Sequence, residues 1–161
     1  MTKTIISIVI ALVILLTLTL LLAGRFGLLS GHRPPDLGLH DGMLKPPVLD
    51  AWNVVSSYAH LQAHTDYHLI EPIRYSGNAD TAFKKLTAIV STMPGATIVT
   101  SQPTYLYAEF QTPVLKFTDD VEFVLDQAAG VIQMRSASRL GRKDFGANRQ
   151  RLESIRTRFN Q

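Results

Sequence analysis

Between Lys3 and Arg25 the chain runs for 21 residues without a formal charge, "TIISIVIALVILLTLTLLLAG", almost all Ile, Leu, Val, Ala and Thr. Nothing else in the sequence limits the fold as strongly. A helix of about 20 apolar residues crosses the hydrocarbon region of a bilayer, and hydroxyls within it can bond back to a helix carbonyl. The run exceeds the roughly 7–15 apolar residues of a cleaved secretory signal. "LAG" also places leucine where a cleavage site wants a small side chain. The reading is an uncleaved single-pass membrane anchor over residues 1–24, with membrane lipid as its first partner. Flanking charge gives no clear vote on orientation, because Lys3 lies on one side and Arg25 and Arg33 near the other. With only a short head before the span, the simplest insertion leaves the start in the cytoplasm and the domain on the extracytoplasmic side.

The rest of the 161 residues suffice for one ordinary domain. With no cysteine, disulfides, thiolate metal sites, cysteine nucleophiles and a lipidated cysteine are excluded. Charge is unevenly spread. Arg135 to Gln161 carries eight Lys/Arg against two acids, and Arg25 to Met134 seven against eleven. Such halves can complement each other inside one domain or present a basic face to an acidic partner.

Residues 25–50 are rich in Gly and Pro, and Pro34-Pro35, Pro46-Pro47 and Asp41-Gly42 argue against regular elements. This is a juxtamembrane arm, laid along the domain by Leu28, Leu37, Leu39 and Leu44. The domain proper is expected over 51–161. Trp52 reads as an anchor into its core, and His68 to Arg74 has mild strand character. "NADTAFKKLTAIVSTM" has a cap at Asn78 and an apolar face of Ala79, Ala82, Phe83, Leu86, Ile89, Val90 and Met93. It predicts a helix stopped by Pro94-Gly95. "ATIVT" and "TYLYAEFQT" predict strands, the second with Leu106, Ala108 and Phe110 on the core side.

Around Gln127-Ala-Ala-Gly130 the spacing predicts a hairpin with Asp126 opposite Val131. Leu125/Ile132, Phe123/Met134 and Val121/Ser136 then share one face. Val124/Gln133 and Glu122/Arg135 share the other, with Asp120 opposite Ala137. A one-residue slip would turn the apolar set outward. Read as exposed, the Glu122–Arg135 pair is worth roughly 0.2–1 kcal/mol. If Glu109 also approaches Glu122, Arg135 sits between two carboxylates. In the last segment Asn148, Leu152, Ile155 and Phe159 recur at helical spacing, with Phe145 packing at or just before the first turn. The elements predict an α+β fold: an N-terminal transmembrane helix, then a two-layer domain with an antiparallel sheet packed against two helices.

The ordered set Asp119-Asp120-Val121-Glu122-Phe123, Arg135-Ser136-Ala137-Ser138-Arg139, Gly141, Asp144, Gly146, Asn148-Arg149 and Glu153, with Tyr105 and Ala108-Glu109 upstream, resembles the DUF1499 family from about Gly24 to Phe159. The resemblance implies a membrane-associated, commonly exported domain of bacterial and plastid proteins, here at a bacterial inner membrane, and brings no established reaction. Members often carry Asn-Cys-Val-Ser-Ser where this chain has Asn53-Val54-Val55-Ser56-Ser57. Any chemistry using that cysteine is absent.

The candidate site joins Asp119, Asp120, Glu122, Arg135, Ser136, Ser138, Arg139, Asp144, Asn148 and Arg149 into one polar cluster. Read structurally, it is a latch between the sheet edge and the last helix, since a buried Asn148 needs partners. Read as a ligand site, Arg139, Arg142, Lys143 and Arg149 rim an anion or lipid headgroup, with Arg142 and Lys143 as its basic rim. A membrane-protein partner is also open. The alternative is a hydrolase-like site using Asp120, Glu122 and Arg139. Adjacent Asp119 and Asp120 diverge on a strand, which weakens paired-acid chemistry. His60, His64 and His68 have four-residue spacing, but strand character begins at the last, so packing roles are expected. No metal or cofactor is expected, and nucleic acid is disfavoured, because basic residues alone define no base-reading geometry.

Overall fold

The computed structural model describes residues 2–161. Helix α1, Thr2–Arg25, is long and apolar enough to cross a membrane or to act as a signal sequence. The Ser7, Thr17 and Thr19 hydroxyls each donate to the carbonyl four residues back, so none is left unpaired. The helix ends against the domain. A side chain at Gly24 would come within 2.8 Å of Leu115 Cα and the Val114 carbonyl, so only glycine lets the last turn sit there.

Beyond α1 the chain crosses the sheet as an arm. Within it, β1 (Leu39–His40) and β2 (Met43–Leu44) form a small hairpin on Asp41 and Gly42, at φ 52° and 78°. Asp-Gly favours such two-residue turns, so the dipeptide read as breaking regular structure in fact makes a hairpin. Leu44 is fully buried with Tyr58 and Val124. Leu28 and Leu39 are exposed and Leu37 is half-buried, so of the expected leucine row only Leu44 is a full anchor for the arm.

The sheet has six strands: β3 (Val54–Ser56), β4 (Ile73–Arg74), β5 (Ala96–Ser101), β6 (Tyr105–Gln111), β7 (Thr118–Asp126) and β8 (Val131–Ser138). Its order is β3-β8-β7-β6-β5, every pairing is antiparallel, and β4 shares the β8 edge with β3. The β7–β8 register is the expected one, with Asp126 opposite Val131 and Glu122 opposite Arg135. Helices α2 (Ala79–Ser91) and α3 (Ala147–Phe159) cover one face. Asn78 Oδ1 caps α2 by accepting from the Thr81 amide at 2.9 Å. Ala82, Phe83, Leu86 and Val90 meet Leu152, Ile155 and Phe159 over Leu106, Val121, Phe123, Ile132 and Met134. The α+β architecture is the expected one.

Two aromatic expectations fail. Trp52 is 52% exposed. Its backbone is pinned to the β8–α3 loop, so its ring lies outside, stacked on Tyr67 at 6.1 Å, and Val55 fills the core instead. Phe145 is 98% exposed. Phe145 and Gly146 both take left-handed backbone, φ 54° and 86°, and this reversal into α3 turns the ring away from the core.

Candidate functional site

Strand alternation sends Asp119 and Asp120 to opposite sides of β7, and this splits the expected cluster in two. Asp119, Ser136, Ser138 and Asn148 face the helices. Asp120, Glu122, Arg135 and Arg139 face the arm.

On the helix side Asn148 is fully buried at the first turn of α3. Its Oδ1 accepts from Ser136 Oγ at 2.5 Å, and its Nδ2 donates to Ser138 Oγ and the Asn53 carbonyl, both at 2.9 Å. Arg151, one turn on, donates to Asn148 Oδ1 at 2.7 Å and to Asp119 Oδ2 at 2.5 Å. Asp144 accepts from the Asn148 amide at 2.8 Å and the Gly146 amide at 3.0 Å, closing the helix start, and takes the Tyr67 hydroxyl as well. Burial pushes its pKa up, but Tyr67 and the two amides outweigh this and hold the carboxyl below its ordinary value. Arg149 points elsewhere, donating to the Tyr67 and Leu69 carbonyls at 2.8 and 2.5 Å.

The arm side is a layer of opposite charges. Glu122 and Arg135 meet at 3.1 Å, their side chains 0% and 7% exposed, so the pair read as exposed is buried. Arm and sheet share these groups: the Gly38 amide donates to Glu122 Oε1 at 2.7 Å, and Arg135 Nε donates to the Lys45 carbonyl at 3.1 Å. Tyr105 adds its hydroxyl to Glu122 at 2.9 Å. The arginine between two carboxylates is Arg139, not Arg135, because β6 places Glu109 opposite Asp120. Arg139 reaches Asp120 at 2.7 Å, Glu109 at 2.5 Å and Tyr107 Oη at 3.0 Å. Tyr107 donates to Asp120 at 2.6 Å. From the arm, Arg33 donates to Glu109 at 2.9 and 2.6 Å and lies 5.5 Å above the Tyr107 ring.

Titration follows this geometry. Burial would raise Glu109, but Arg139 and Arg33 override it and hold the carboxyl below the usual range. Burial would lower Arg139, and Asp120 and Glu109 reverse that, so its pKa is raised. Burial and the bond to Asp120 push the Tyr107 phenol up. The layer balances three guanidiniums, Arg33, Arg135 and Arg139, against Glu109, Asp120 and Glu122. Each of these carboxylates bonds a guanidinium.

The basic rim is separate. Arg142 pairs with Asp50, both mostly exposed, and Lys143 Nζ lies 5.1 Å from the Trp52 ring centroid. His60 and His64 bond to the Ser57 and Gln62 carbonyls, and buried His68 bridges the Thr65 amide and the Ala51 carbonyl. No group of three His, Asp or Glu side chains poised for a metal occurs among the described residues. Arg33, Arg151, Asn53 and Tyr67 enter these networks from outside the expected set. Tyr105, Tyr107 and Glu109 also come from outside that set, on the polar face that alternation gives β6, and Arg151 has a signal too, three residues after Asn148 and so on the same helix face. The others arrive by long-range packing that no local spacing records.

No curated protein and no solved structure matches the chain. A family described as protein of unknown function, DUF1499, matches residues 46–159, which hold β3 to α3 and both acid-bearing strands, while α1, Arg33 and Gly38 precede the match. On that match, covering well over half of its length, the chain belongs to the DUF1499 family.

Proposed function

We propose that this is a membrane-tethered scaffold domain whose buried charged layer clamps its own juxtamembrane arm and holds the domain in a fixed stance at the end of α1. One observation carries the reading: Glu122 and Arg135 each spend a bond on arm backbone, at Gly38 and Lys45, besides the bond to each other. A buried carboxylate needs several donors, and here the arm supplies one of them. Domain and arm thus share one hydrogen-bond network, and the tether is short and stiff. A bacterial inner membrane with the domain on the extracytoplasmic side fits the anchor reading.

A hydrolase-like site at Asp120, Glu122 and Arg139 draws less support. Those side chains are almost wholly buried, Asp120 and Arg139 are bonded to each other and Glu122 to Arg135, which leaves these groups already engaged rather than turned toward a substrate. Anion recognition by Arg139 or Arg149 is weakened in the same way, since both are taken up by protein oxygens.

The test uses the full chain in lipid nanodiscs, with spin labels at exposed Arg25 and exposed Gln127. The reading expects one narrow distance distribution, and a broad one in Glu122→Ala measured below its melting temperature. A broad distribution in the unaltered chain overturns the clamp. Loss of the protein from carbonate-washed membranes overturns the anchor.

A further inference from the structure

The end of the domain that meets α1 carries a set of apolar side chains left wholly or partly uncovered by the described residues. Gly24 packs on Val114 and Leu115 of the β6–β7 loop, and a side chain at Gly31, early in the arm, would touch Arg139 and Leu140 just after β8, so that loop lies at the helix terminus and the chain after β8 lies beside the start of the arm. Phe117, Leu140, Lys143 and Phe145 line one cleft there. Phe26, which follows the end of α1, and Val114, in the β6–β7 loop, are well exposed, as is Phe145. The cost of leaving a phenylalanine so open, on a left-handed backbone that turns it outward, has no return within the domain.

We infer that this rim, Phe26, Val114, Phe117, Leu140 and Phe145, is seated in the interfacial zone of an anionic bilayer, flanked by Arg25 and Lys143. This rests on the anchor reading above and extends it to the surface of the domain. The length of α1 selects the occupant. Its 24 residues span about 36 Å at 1.5 Å each, a little more than the roughly 30 Å hydrocarbon layer. The terminus at Arg25 therefore falls at headgroup level, and the β6–β7 loop packed on Gly24 brings Val114 and the rim that continues from it to the same level. Trp52, whose ring lies beside Lys143, suits that zone with its apolar body and polar N–H, while the wholly apolar phenylalanines of the rim point toward the acyl-chain side of it. Lys143 and Arg25 then meet lipid phosphates rather than bulk water.

Trp52 is the sole tryptophan, so a chain carrying Trp52→Phe and Phe145→Trp places one indole at the tip of the rim. Reconstituted full length in phosphatidylcholine vesicles containing phosphatidylglycerol, it should show blue-shifted emission, strongly quenched by lipids brominated near the headgroup end of the acyl chain. Adding Lys143→Glu should reduce the quenching. The emission of fully hydrated indole, insensitive to bromolipid, overturns the inference while carbonate retention still upholds the anchor. Blue-shifted emission that bromolipid does not quench also overturns it, by putting protein against the rim. Should that variant not fold, Trp52→Phe with Phe26→Trp places the indole at another exposed rim position: bromolipid quenching supports the inference, and none defeats it.

Discussion

The two faces of the sheet hold their covering layers by different physics. On the helix side an apolar core does most of the holding, and the buried polar groups gather at the start of α3, around Asn148, with Asp119 and Arg151 at the rim. On the arm side there is little apolar contact beyond Leu44, Tyr58 and Val124, and three ion-paired carboxylates take its place. The difference follows from the covering segments. A helix brings its own backbone bonds satisfied, so it can be packed by hydrocarbon alone. A Gly/Pro-rich arm brings unpaired amides and carbonyls, which the sheet must bond. Buried carboxylates and guanidiniums do that best, provided each is matched.

The largest effect should come from leaving one of these charges unmatched. Glu122→Ala strands Arg135 and the Gly38 amide and should cost about 3–5 kcal/mol, read as a fall in denaturation midpoint of the full chain in detergent. Asn148→Ala, on the neutral side, leaves the Ser136, Ser138 and Asn53 groups short of partners. It should cost about 1–3 kcal/mol. If the order of these two variants reversed, the contrast between the faces would fail.

Acid provides the next comparison. Glu109 and Asp144 both titrate below their ordinary values, so the unfolded chain takes up protons first as pH falls. The stability they contribute is full above about pH 4.5 and is lost as pH drops through their folded-state values. Thermal midpoints measured down to about pH 3 should decline, and Glu109→Gln should flatten that decline. An equal slope in the variant would place the acid sensitivity elsewhere. Smallest of all, Arg33→Ala removes a half-exposed pair and should cost at most about 1 kcal/mol.

Legibility in the sequence divides along the same line. The β7–β8 register, the α2 face and the Asn148–Phe159 stripe were all readable, because each is a period set by local backbone geometry against one apolar core. Strand alternation already implies that Asp119 and Asp120 diverge, whereas grouping the candidates by the return of the hairpin toward these acids leaves out which face each side chain takes. Applied to the whole set, the same rule separates the two networks. Arg33 was not readable. It lies 76 residues from Glu109, in an arm without period, and its place depends on the helix end resting on Val114 and Leu115. Trp52 and Phe145 misled because size argues for burial only when nothing else claims the ring. Here the neighbouring backbone fixes both outside.

Amide hydrogen exchange at Gly38 tests the clamp most directly, since that N–H meets the buried Glu122 carboxylate. A clamped arm predicts strong protection in the full chain and its loss in Glu122→Ala under conditions where the Val121 and Phe123 amides stay protected. Exchange at Gly38 as fast as in an unstructured peptide, in both proteins, would contradict it.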